Sequence, residues 1–567
     1  MPQRNASESV IDAARFGALP DDGRDDTVAI ARAIASAPAD RPIRLVLRPG
    51  RYDLAEGANP GSPRTAIAFR DRQGLTIEGH GAELSLTGLV NTFVFERCAQ
   101  VGVRDLTVDW KRPPFSVGEV VRSAERSFDV RVWDEFPVTG AETVGAFMDY
   151  DPATRRPRRH GLDVYDAVAS VELTAPQTLR LRLKRPIRLQ PGVLVVLRHQ
   201  VYSYNAFLFA RCKDVRVENV TVHTTPGMGL VADVTEDITL DRFRVVPRPG
   251  GRRIMSATAD ATHFSGCKGT VRLTRCEFEG MGDDAANVKS GLYLTVRERV
   301  DDRTVLAQHN LKFQNPPDPG DMMEIARQDT LLPYATARVE ACSLEPEHAI
   351  HRLRFAEPLP AGLQVGDLLG NASRVPKLRM ADCVVRHNRA RGVLVQTRDA
   401  VIERCRFEGC TSSAVLVIAE SAHFFESITA RNVTIRNNRI EGCNYGAAMV
   451  DGAIQLCGLL RGFVYSRTPG VHQGIRITGN RIVQTDNAAV LVASSSDVRI
   501  DDNIIERACD MPTSEIGRQA IHVRSSRNVV IEGNAIDPAK QGTGYRQAIG
   551  IGPDVEEKTI RVRARER

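Results

Sequence analysis

The sequence predicts an all-β fold, a right-handed parallel β-helix, from three observations. One short segment recurs along the chain, apolar and polar residues alternate within it, and helical sequence is scarce. The segment reads apolar–x–apolar–polar–polar–(Asn/Cys/Phe)–x–apolar. Its nine copies are VRVENVTV (215–222), ITLDRFRV (238–245), VRLTRCEF (271–278), LRMADCVV (378–385), AVIERCRF (400–407), VTIRNNRI (433–440), IRITGNRI (475–482), VRIDDNII (498–505) and VVIEGNAI (529–536).

The repeat implies stacked turns of chain. Period-two alternation makes strands, and the closest copies start 22 or 23 residues apart. The sixth position breaks the alternation and is often Asn, which at a bend can bond the Asn of the next turn and form a ladder. Adjacent turns would lie about 4.8 Å apart. Since no single turn can bury a core alone, many must stack.

Eleven cysteines are present, without metal-type CxxC pairs. Cys276, Cys383, Cys405 and Cys443 are predicted to recur at one point of the repeat. We interpret them as stacked, reduced, buried thiols rather than as disulfides or zinc ligands.

Two stretches interrupt the repeat and resemble antiparallel strands with hairpin turns. They divide the 567 residues into five expected parts. These are an N-terminal cap with the first rungs (1–110), an inserted β-barrel-like domain (111–200), rungs with candidate catalytic carboxylates (201–290), a second inserted β-barrel-like domain (291–372) and C-terminal rungs (373–567). Insertions in a solenoid often project from its binding face.

The N-terminal segment DAARFGALPDDGRDDTVAIARAIA (12–35) predicts a strand, a turn and a short cap helix. Asp26 or Thr27 is the expected N-cap. The helix would cover the open end of the solenoid, as terminal repeats require. This segment resembles the amino-terminal cap of pectin-lyase-like β-helix proteins.

Charge and hydropathy limit the kinds of partner that this chain is expected to bind. The net charge of +6 is spread along the chain without a basic stripe, which disfavours nucleic acid. No run of about 18 apolar residues predicts a membrane span, and Met1 to Val10 lacks an apolar leader segment. We expect a soluble protein, cytoplasmic unless a leader has been trimmed. The oligomeric state stays open, with a homodimer as one candidate.

Three aspartates form the candidate catalytic centre. The segments ADATHFSGCKG (259–269) and DDAANVKSG (283–291) share the pattern x–Asp–Ala–x–x–apolar, and Asp260 lies 24 residues before Asp284, close to one rung. If the register holds, the two stack on adjacent turns, with Asp283 offset by one position. Ordinary turn aspartates or a calcium site are the alternatives.

Clustered carboxylates repel each other, so one keeps a proton beside ionised neighbours. Glycoside hydrolysis needs that combination of acid and base. We assign Asp283 as the general acid, with Asp260 and Asp284 positioning and deprotonating water. A spacing of about 6.5–9.5 Å would suit inversion and about 5–5.5 Å retention. Two stacked rungs favour the wider gap.

The stretch around GMGDDAANVKS (280–290) resembles glycoside hydrolase family 110, the α-1,3-galactosidases. The resemblance continues through LTVDWKRPPFSVGEV (106–120), RARGVLVQTRDAVIERCRFEGCTSSAVLVIAE (389–420) and HFFESITARNVTIRNNRIEGCN (423–444). It implies a similar β-helix with two barrel insertions and an inverting, exo-acting hydrolase that needs no cofactor and no metal. It also implies a galactose-terminated oligosaccharide or glycan as the substrate. Asp260, Asp283 and Asp284 match the family's catalytic carboxylates.

One departure from the family's motif leaves open which glycosidic linkage the protein would cleave. The family has His-Gly after Asn-Val, where this chain has Lys289 and Ser290. Further substrate-binding candidates are Asn287, Lys289, Arg391, Glu420 and Glu426. Each has an alternative interpretation, as a core-facing residue, a surface ion pair or part of a polar loop. His263 is predicted to be structural.

Three alternative functions remain compatible with a β-helix. Polygalacturonases share the Asp…Gly-Asp-Asp cluster, but their downstream Gly-His-Gly and Arg-Ile-Lys are not found after Ser290. A non-catalytic carbohydrate-binding β-helix would need no carboxylates in register. A polysaccharide lyase would use calcium or a basic residue and leave an unsaturated product.

Overall fold

The computed structural model describes residues 8–57, 64–310, 316–345, 350–446 and 451–563. Two long parallel sheets follow the repeats, and each strand pairs with the equivalent strand of the next turn. The prediction of a right-handed parallel β-helix is confirmed.

Sheet A contains the repeated segments. Its strands in the described residues are Ser9–Asp12, Ile43–Val46, Arg51–Ala55, Gln73–Thr87, Ala99–Trp110, Lys213–Val222, Glu236–Asp241, Arg244–Val245, Lys268–Thr274, Glu277–Glu279, Lys377–Ala381, Val384–Arg386, Arg398–Glu403, Arg406–Glu408, Arg431–Arg436, Arg439–Glu441, His472–Thr478, Arg481–Val483, Ser495–Asp501, Ile504–Glu506, Arg527–Glu532, Ala535–Ile536 and Ile560–Arg563.

Sheet B follows the turns that hold the candidate site. Its described strands are Thr65–Arg70, Asn91–Glu96, Phe207–Ala210, Leu230–Asp233, Thr262–Ser265, Ala286–Lys289, Val393–Gln396, Val415–Glu420, Gly452–Leu460, Val464–Tyr465, Ala488–Ala493, Gln519–Arg524 and Gln547–Ile551. All pair in parallel except Val464–Tyr465, which forms a hairpin with Gly452–Leu460.

The core lies between the two sheets. In the repeat VRIDDNII (498–505), Val498, Ile500 and Ile505 are buried, as the alternation requires. Phenylalanines stack along sheet B in the first rungs, with Phe95 and Phe209 at 4.7 Å between ring centroids.

An asparagine ladder runs through the sixth position of the repeat, as predicted. Asn438 donates its backbone N–H and its side-chain amide to Oδ1 of Asn480, both at 3.0 Å. Asn480 bonds Asn503 in the same way, and Asn503 bonds Asn534. Each rung thereby fixes the bend of the rung before it.

Cysteines occupy the same position in earlier rungs. Cys276, Cys383 and Cys405 are buried free thiols there, and all eleven cysteines are free. The placement of Cys443 in this column is wrong. It lies beside Cys410 after the following strand, because Glu408 pairs with Glu441 in the register.

The N-terminal cap is confirmed. A helix runs from Thr27 to Ala35 with Asp26 at the N-cap, and it buries Ala29, Ile30 and Ala33. Asp26 bonds the backbone of Leu19 and Asp53 rather than the helix. Short 3₁₀ turns lie at Ala13–Phe16, Ile516–Arg518, Pro538–Lys540 and Glu557–Thr559.

The first insertion is a seven-stranded antiparallel sheet. Its strands are Phe115–Ala124, Ser127–Val132, Ala146–Tyr150, Asp163–Tyr165, Val168–Ala175, Thr178–Leu183 and Leu194–Arg198. It has its own core, built around buried residues such as Phe128, Phe147 and Leu181.

The second insertion is a closed six-stranded barrel. Its strands are Leu294–Arg299, Thr304–His309, Met322–Ala326, Pro333–Glu345, Ile350–Phe355 and Leu368–Asn371. A two-stranded link of Gly291–Leu292 and Glu426–Ser427 ties its base to a later rung. The five-part division with its boundaries stays a prediction. In the described residues, no helix is long and apolar enough to cross a membrane.

We expect Asn480→Ala to lower the free energy of unfolding by about 2–4 kcal/mol, because it leaves buried donors of Asn438 without an acceptor. The melting temperature (Tm) from calorimetry checks this. Arg476→Ala, at an exposed position of the same turn, is the matched control and should melt like the wild type. Equal Tm values for Asn480→Ala and the control would contradict a stabilising ladder.

Candidate active site

The strand register brings the three aspartates together. Thr262 pairs with Ala286 in neighbouring parallel strands of sheet B, so Asp260 and Asp284 occupy the same place on successive rungs. Asp283 precedes Asp284 by one residue. One carboxylate oxygen from each of the three lies within 4.8 Å of the others. All three are buried, with exposures of 3%, 7% and 1% for Asp260, Asp283 and Asp284.

Two arginines from the following turn pair with two of the aspartates. Arg389 Nη1 lies 2.7 Å from Asp283 Oδ1. Arg391 donates its backbone N–H to Asp284 Oδ1 at 2.9 Å and its Nη2 to Asp284 Oδ2 at 2.8 Å. Because Ala286 pairs with Val393, Arg391 is the next-rung equivalent of Asp284. The trio therefore has one carboxylate more than it has guanidinium partners.

Asp260 is the carboxylate without an arginine contact among the described ion pairs. Its Oδ2 lies 2.7 Å from His263 Nδ1, and its Oδ1 accepts the backbone N–H of Asp284 at 3.2 Å. Burial lowers the pKa of His263 to about 3, so the ring is neutral and supplies no positive charge. The prediction that His263 is only structural overlooked this contact.

Burial sets the protonation states of the trio. It raises the pKa of Asp260 well above its usual value, and the charge of Asp283 adds to the rise. Burial also raises the pKa of Asp284, partly offset by Arg391. At Asp283 burial is the largest single effect, but the charges of Arg389 and Arg391, with the Tyr202 hydrogen bond, hold the pKa below its usual value. The free site thus combines an ionised Asp283 with a proton on its neighbours.

The first insertion and the segment that follows it complete the site with residues that the sequence did not single out. Tyr202 donates its hydroxyl to Asp283 Oδ2 at 2.6 Å. Asp163 accepts a bond from Arg389 Nε at 2.6 Å and so orients that guanidinium. Arg198 is fully buried and bonds the carbonyls of Thr258 and Gly282, which fixes the turns before Asp260 and Asp283.

These residues differ in whether the sequence alone could have revealed them. Arg389 could have been found from its position, since it lies beside Arg391 in the turn before the strand Val393–Gln396. Asp163 and Arg198 belong to the insertion and Tyr202 to the segment that follows its last strand, where no repeat fixes their position. Only the tertiary structure brings them to the carboxylates.

The remaining candidates separate into two groups. Asn287 lies on the strand after Asp284, is 5% exposed, and its Oδ1 has no partner among the described residues. Lys289 pairs with Glu426 at 2.5 Å, and the charges of both act on the aspartates and their partners. Glu420 instead accepts backbone N–H bonds from Ala422, His423 and Glu426. Its carboxylate holds a loop rather than facing the trio.

Among the described residues, the carboxylate oxygens of the trio lie close enough together to hold a cation. Two of its carboxylates already pair with guanidinium groups, so a divalent ion would compete with Arg389 and Arg391. The charge balance is complete with one proton, and the chemistry of this donor set fits proton transfer better than metal binding.

Comparisons with known proteins agree with this architecture. A family model described as the right-handed beta helix region matches residues 369–545. Alpha-1,3-galactosidase B of Phocaeicola vulgatus is 27% identical over 93% of this chain and 95% of its own length. Alpha-1,3-galactosidase A of Bacteroides fragilis is 26% identical over 94% of this chain and 93% of its own length. The chain is a homologue of proteins named alpha-1,3-galactosidase.

The homology confirms the resemblance drawn from the sequence motifs. Among solved structures, the catalytic domain of Agl-KA aligns with a TM-score of 0.46 and 12% identity, covering 96% of this chain and 68% of that one. That likeness is too loose to inform the site.

We expect Asp260→Asn to become more stable relative to wild type as the pH rises. A carboxyl whose folded pKa is raised contributes stability below its unfolded pKa, near 4, and loses it as the pH rises toward the folded value. The asparagine variant cannot ionise at this position and does not lose stability in this way. The difference in Tm, variant minus wild type, should therefore increase between about pH 4 and pH 7.

Asp382→Asn is the control, because Arg404 lowers the pKa of this exposed aspartate. Its Tm difference from wild type should not increase with pH. A difference for Asp260→Asn that is constant over the pH range would show that Asp260 ionises normally in the folded chain.

Proposed function

We propose that this protein is a glycoside hydrolase, an exo-acting α-1,3-galactosidase that releases terminal α-linked galactose from an oligosaccharide or glycan. The observation that carries the proposal is the trio of Asp260, Asp283 and Asp284, stacked on adjacent rungs of a chain homologous over its length to proteins of that name. The homologues support glycosidase activity as such. The galactose specificity and the exo mode are our extension of it.

The trio has the composition that glycoside hydrolysis requires. One carboxylic acid protonates the leaving oxygen while a carboxylate activates water or attacks the anomeric carbon. With three carboxylates and two arginine partners, the site carries both forms at neutral pH. His263 keeps the Asp260 carboxyl oriented, and Tyr202 does the same for Asp283.

The protonation states favour roles opposite to those expected from the sequence. Arg389 and the Tyr202 hydroxyl stabilise an ionised Asp283, which suits a base. Asp260 has no cationic contact among the described ion pairs and keeps the proton, which suits an acid. We therefore propose Asp283 as the general base and Asp260 as the general acid, kept protonated by burial and by the charge of Asp283. Asp284, held by Arg391, completes the trio.

Burial supports the exo mode. The buried carboxylates lie in a recess bordered by the first insertion, where Asp163 bonds Arg389, and by the loop that holds Glu426, which pairs with Lys289. A terminal sugar can enter such a recess, whereas the interior of a long chain needs an open groove. Asn287 Oδ1, buried and without a partner in the described part of the chain, is our candidate acceptor for a sugar hydroxyl.

The stereochemical outcome rests on the resemblance alone. The sequence argument favoured a wide gap, but one oxygen of each carboxylate lies within 4.8 Å of the others, which is shorter than the gap of about 6.5–9.5 Å usual for inversion. We propose inversion because the resembling family inverts, and the product anomer decides it.

Incubation with Galα1-3Gal and with a fucosylated blood-group-B-type trisaccharide should release galactose. Proton NMR at early times should show the β-anomer first. Early α-galactose would replace inversion with retention. An ultraviolet-absorbing unsaturated product would indicate a lyase, and cleavage of polygalacturonate without galactose release would favour the polygalacturonase alternative. No release from any α-galactoside would overturn the proposed function.

We expect Asp283→Asn to lower kcat by about a thousandfold or more on both glycans, because the amide cannot take up a proton. A base is needed whatever the leaving group, so dinitrophenyl α-galactoside, which needs no acid, should stay equally slow. Recovery of turnover on that substrate would make Asp283 the acid. Asp382→Asn is the matched control and should retain wild-type activity, and circular dichroism checks that both variants fold.

A further inference from the structure

Three exposed rings cluster beside the site. His423 and Phe424 lie at the tip of the loop 421–427, and Phe463 lies in the turn between the hairpin strands Gly452–Leu460 and Val464–Tyr465. The ring centroids are 4.4 Å apart for His423 and Phe424 and 6.5 Å apart for His423 and Phe463. Phe424 is 48% exposed and Phe463 46%, whereas most phenylalanines of the chain are buried. We call these three residues the aromatic platform.

The loop that presents the platform is rigidly held. Both oxygens of Glu420 accept backbone N–H groups from the loop, at 2.7–3.0 Å. The next ring, Phe425, turns the other way and packs among Tyr293, Ala326 and Leu331. Its carbonyl accepts the N–H of Tyr293 at 2.7 Å. Phe424 is therefore held outward by contacts made on either side of it.

The hairpin turn presents its ring in a similar way. Phe463 has a backbone φ of 59°, which is uncommon for a bulky residue, and its N–H bonds the carbonyl of Leu460 at 2.9 Å. The two turns come from different rungs, yet they bring their rings to one surface. Rings fixed in this manner lose little conformational freedom when a ligand covers them.

The platform is connected to the carboxylates through the base of its loop. Glu426, two residues after Phe424, pairs with Lys289 on the strand that follows Asp284. The charge of Glu426 acts on Arg391, and that of Lys289 on Asp260. A glycan whose terminal sugar reaches the trio would leave the recess along this rim.

We propose that the aromatic platform binds the sugar on the leaving-group side of the glycan, by packing the apolar C–H groups of a pyranose ring between Phe424 and Phe463, whose ring planes are inclined to each other. The proposal rests on the proposed function. The two phenyl rings suit a neutral sugar, because apolar C–H groups gain from aromatic contact while the hydroxyls stay in water. The platform would thus make the protein prefer oligosaccharides to simple galactosides.

The experiment compares kcat/KM on the fucosylated trisaccharide with kcat/KM on methyl α-galactoside, which has no sugar to stack. In Phe424→Ala/Phe463→Ala the ratio of the two should fall about tenfold through a higher KM for the trisaccharide. Phe424→Trp should keep the wild-type ratio and Phe424→Leu should not, because Leu retains apolar area without an aromatic face. Val365→Ala, at a 69% exposed position of the barrel, is the control and should leave the ratio unchanged.

The outcomes separate the two proposals. A wild-type enzyme that is active on both substrates, with an unchanged ratio in the double variant, overturns the platform alone. Absence of galactose release by wild type overturns the proposed function and the platform with it. A double variant that changes the sedimentation coefficient but not the ratio would assign the rings to a contact between copies of the chain, and this too overturns the platform.

Discussion

The stacking of rungs in register is the constraint on which the rest of this structure depends. Parallel pairing places equivalent residues of successive turns about 4.8 Å apart, and it does so at every turn of the helix. At the bend of sheet A this repetition makes the Asn438–Asn480–Asn503 ladder, in which each amide satisfies the rung before it. At the start of the sheet B strands the same repetition stacks Asp260 on Asp284, where like charges meet. Stacking in register therefore stabilises the fold at the asparagine ladder and destabilises it where Asp260 and Asp284 meet.

The strain is limited by the next rung. Arg391 occupies the position of Asp284 one turn later, and Arg389 lies two residues before it, so the column continues with the opposite charge. Two arginines against three carboxylates leave one site for a proton. Because Asp260 contacts a neutral imidazole rather than a guanidinium, the proton has a preferred place. A column that balanced its charges fully would be more stable and would have no acid to donate.

The sequence predicted what repetition determines. The Asn ladder, the stacked thiols of Cys276, Cys383 and Cys405, and the pairing of Asp260 with Asp284 all follow from one template and its period. Cys443 was misplaced because it lies outside the template, five residues beyond the ladder position, where spacing alone gives no register.

The residues that were missed come from segments without a repeat. Asp163 reaches Arg389 from the first insertion, whose strands pair antiparallel in an order that no periodicity encodes. Tyr202 reaches Asp283 from the segment that follows the insertion. Glu420 was a candidate for substrate binding because it lies, with Glu426, on either side of the segment HFF, yet its oxygens accept hydrogen bonds from the loop that it closes. The rungs thus supply the carboxylates, which the sequence reveals. The insertions and loops supply much of their surroundings, and these segments can change without loss of the carboxylates, since the rungs that hold Asp260, Asp283 and Asp284 keep their register whichever loop lies above them.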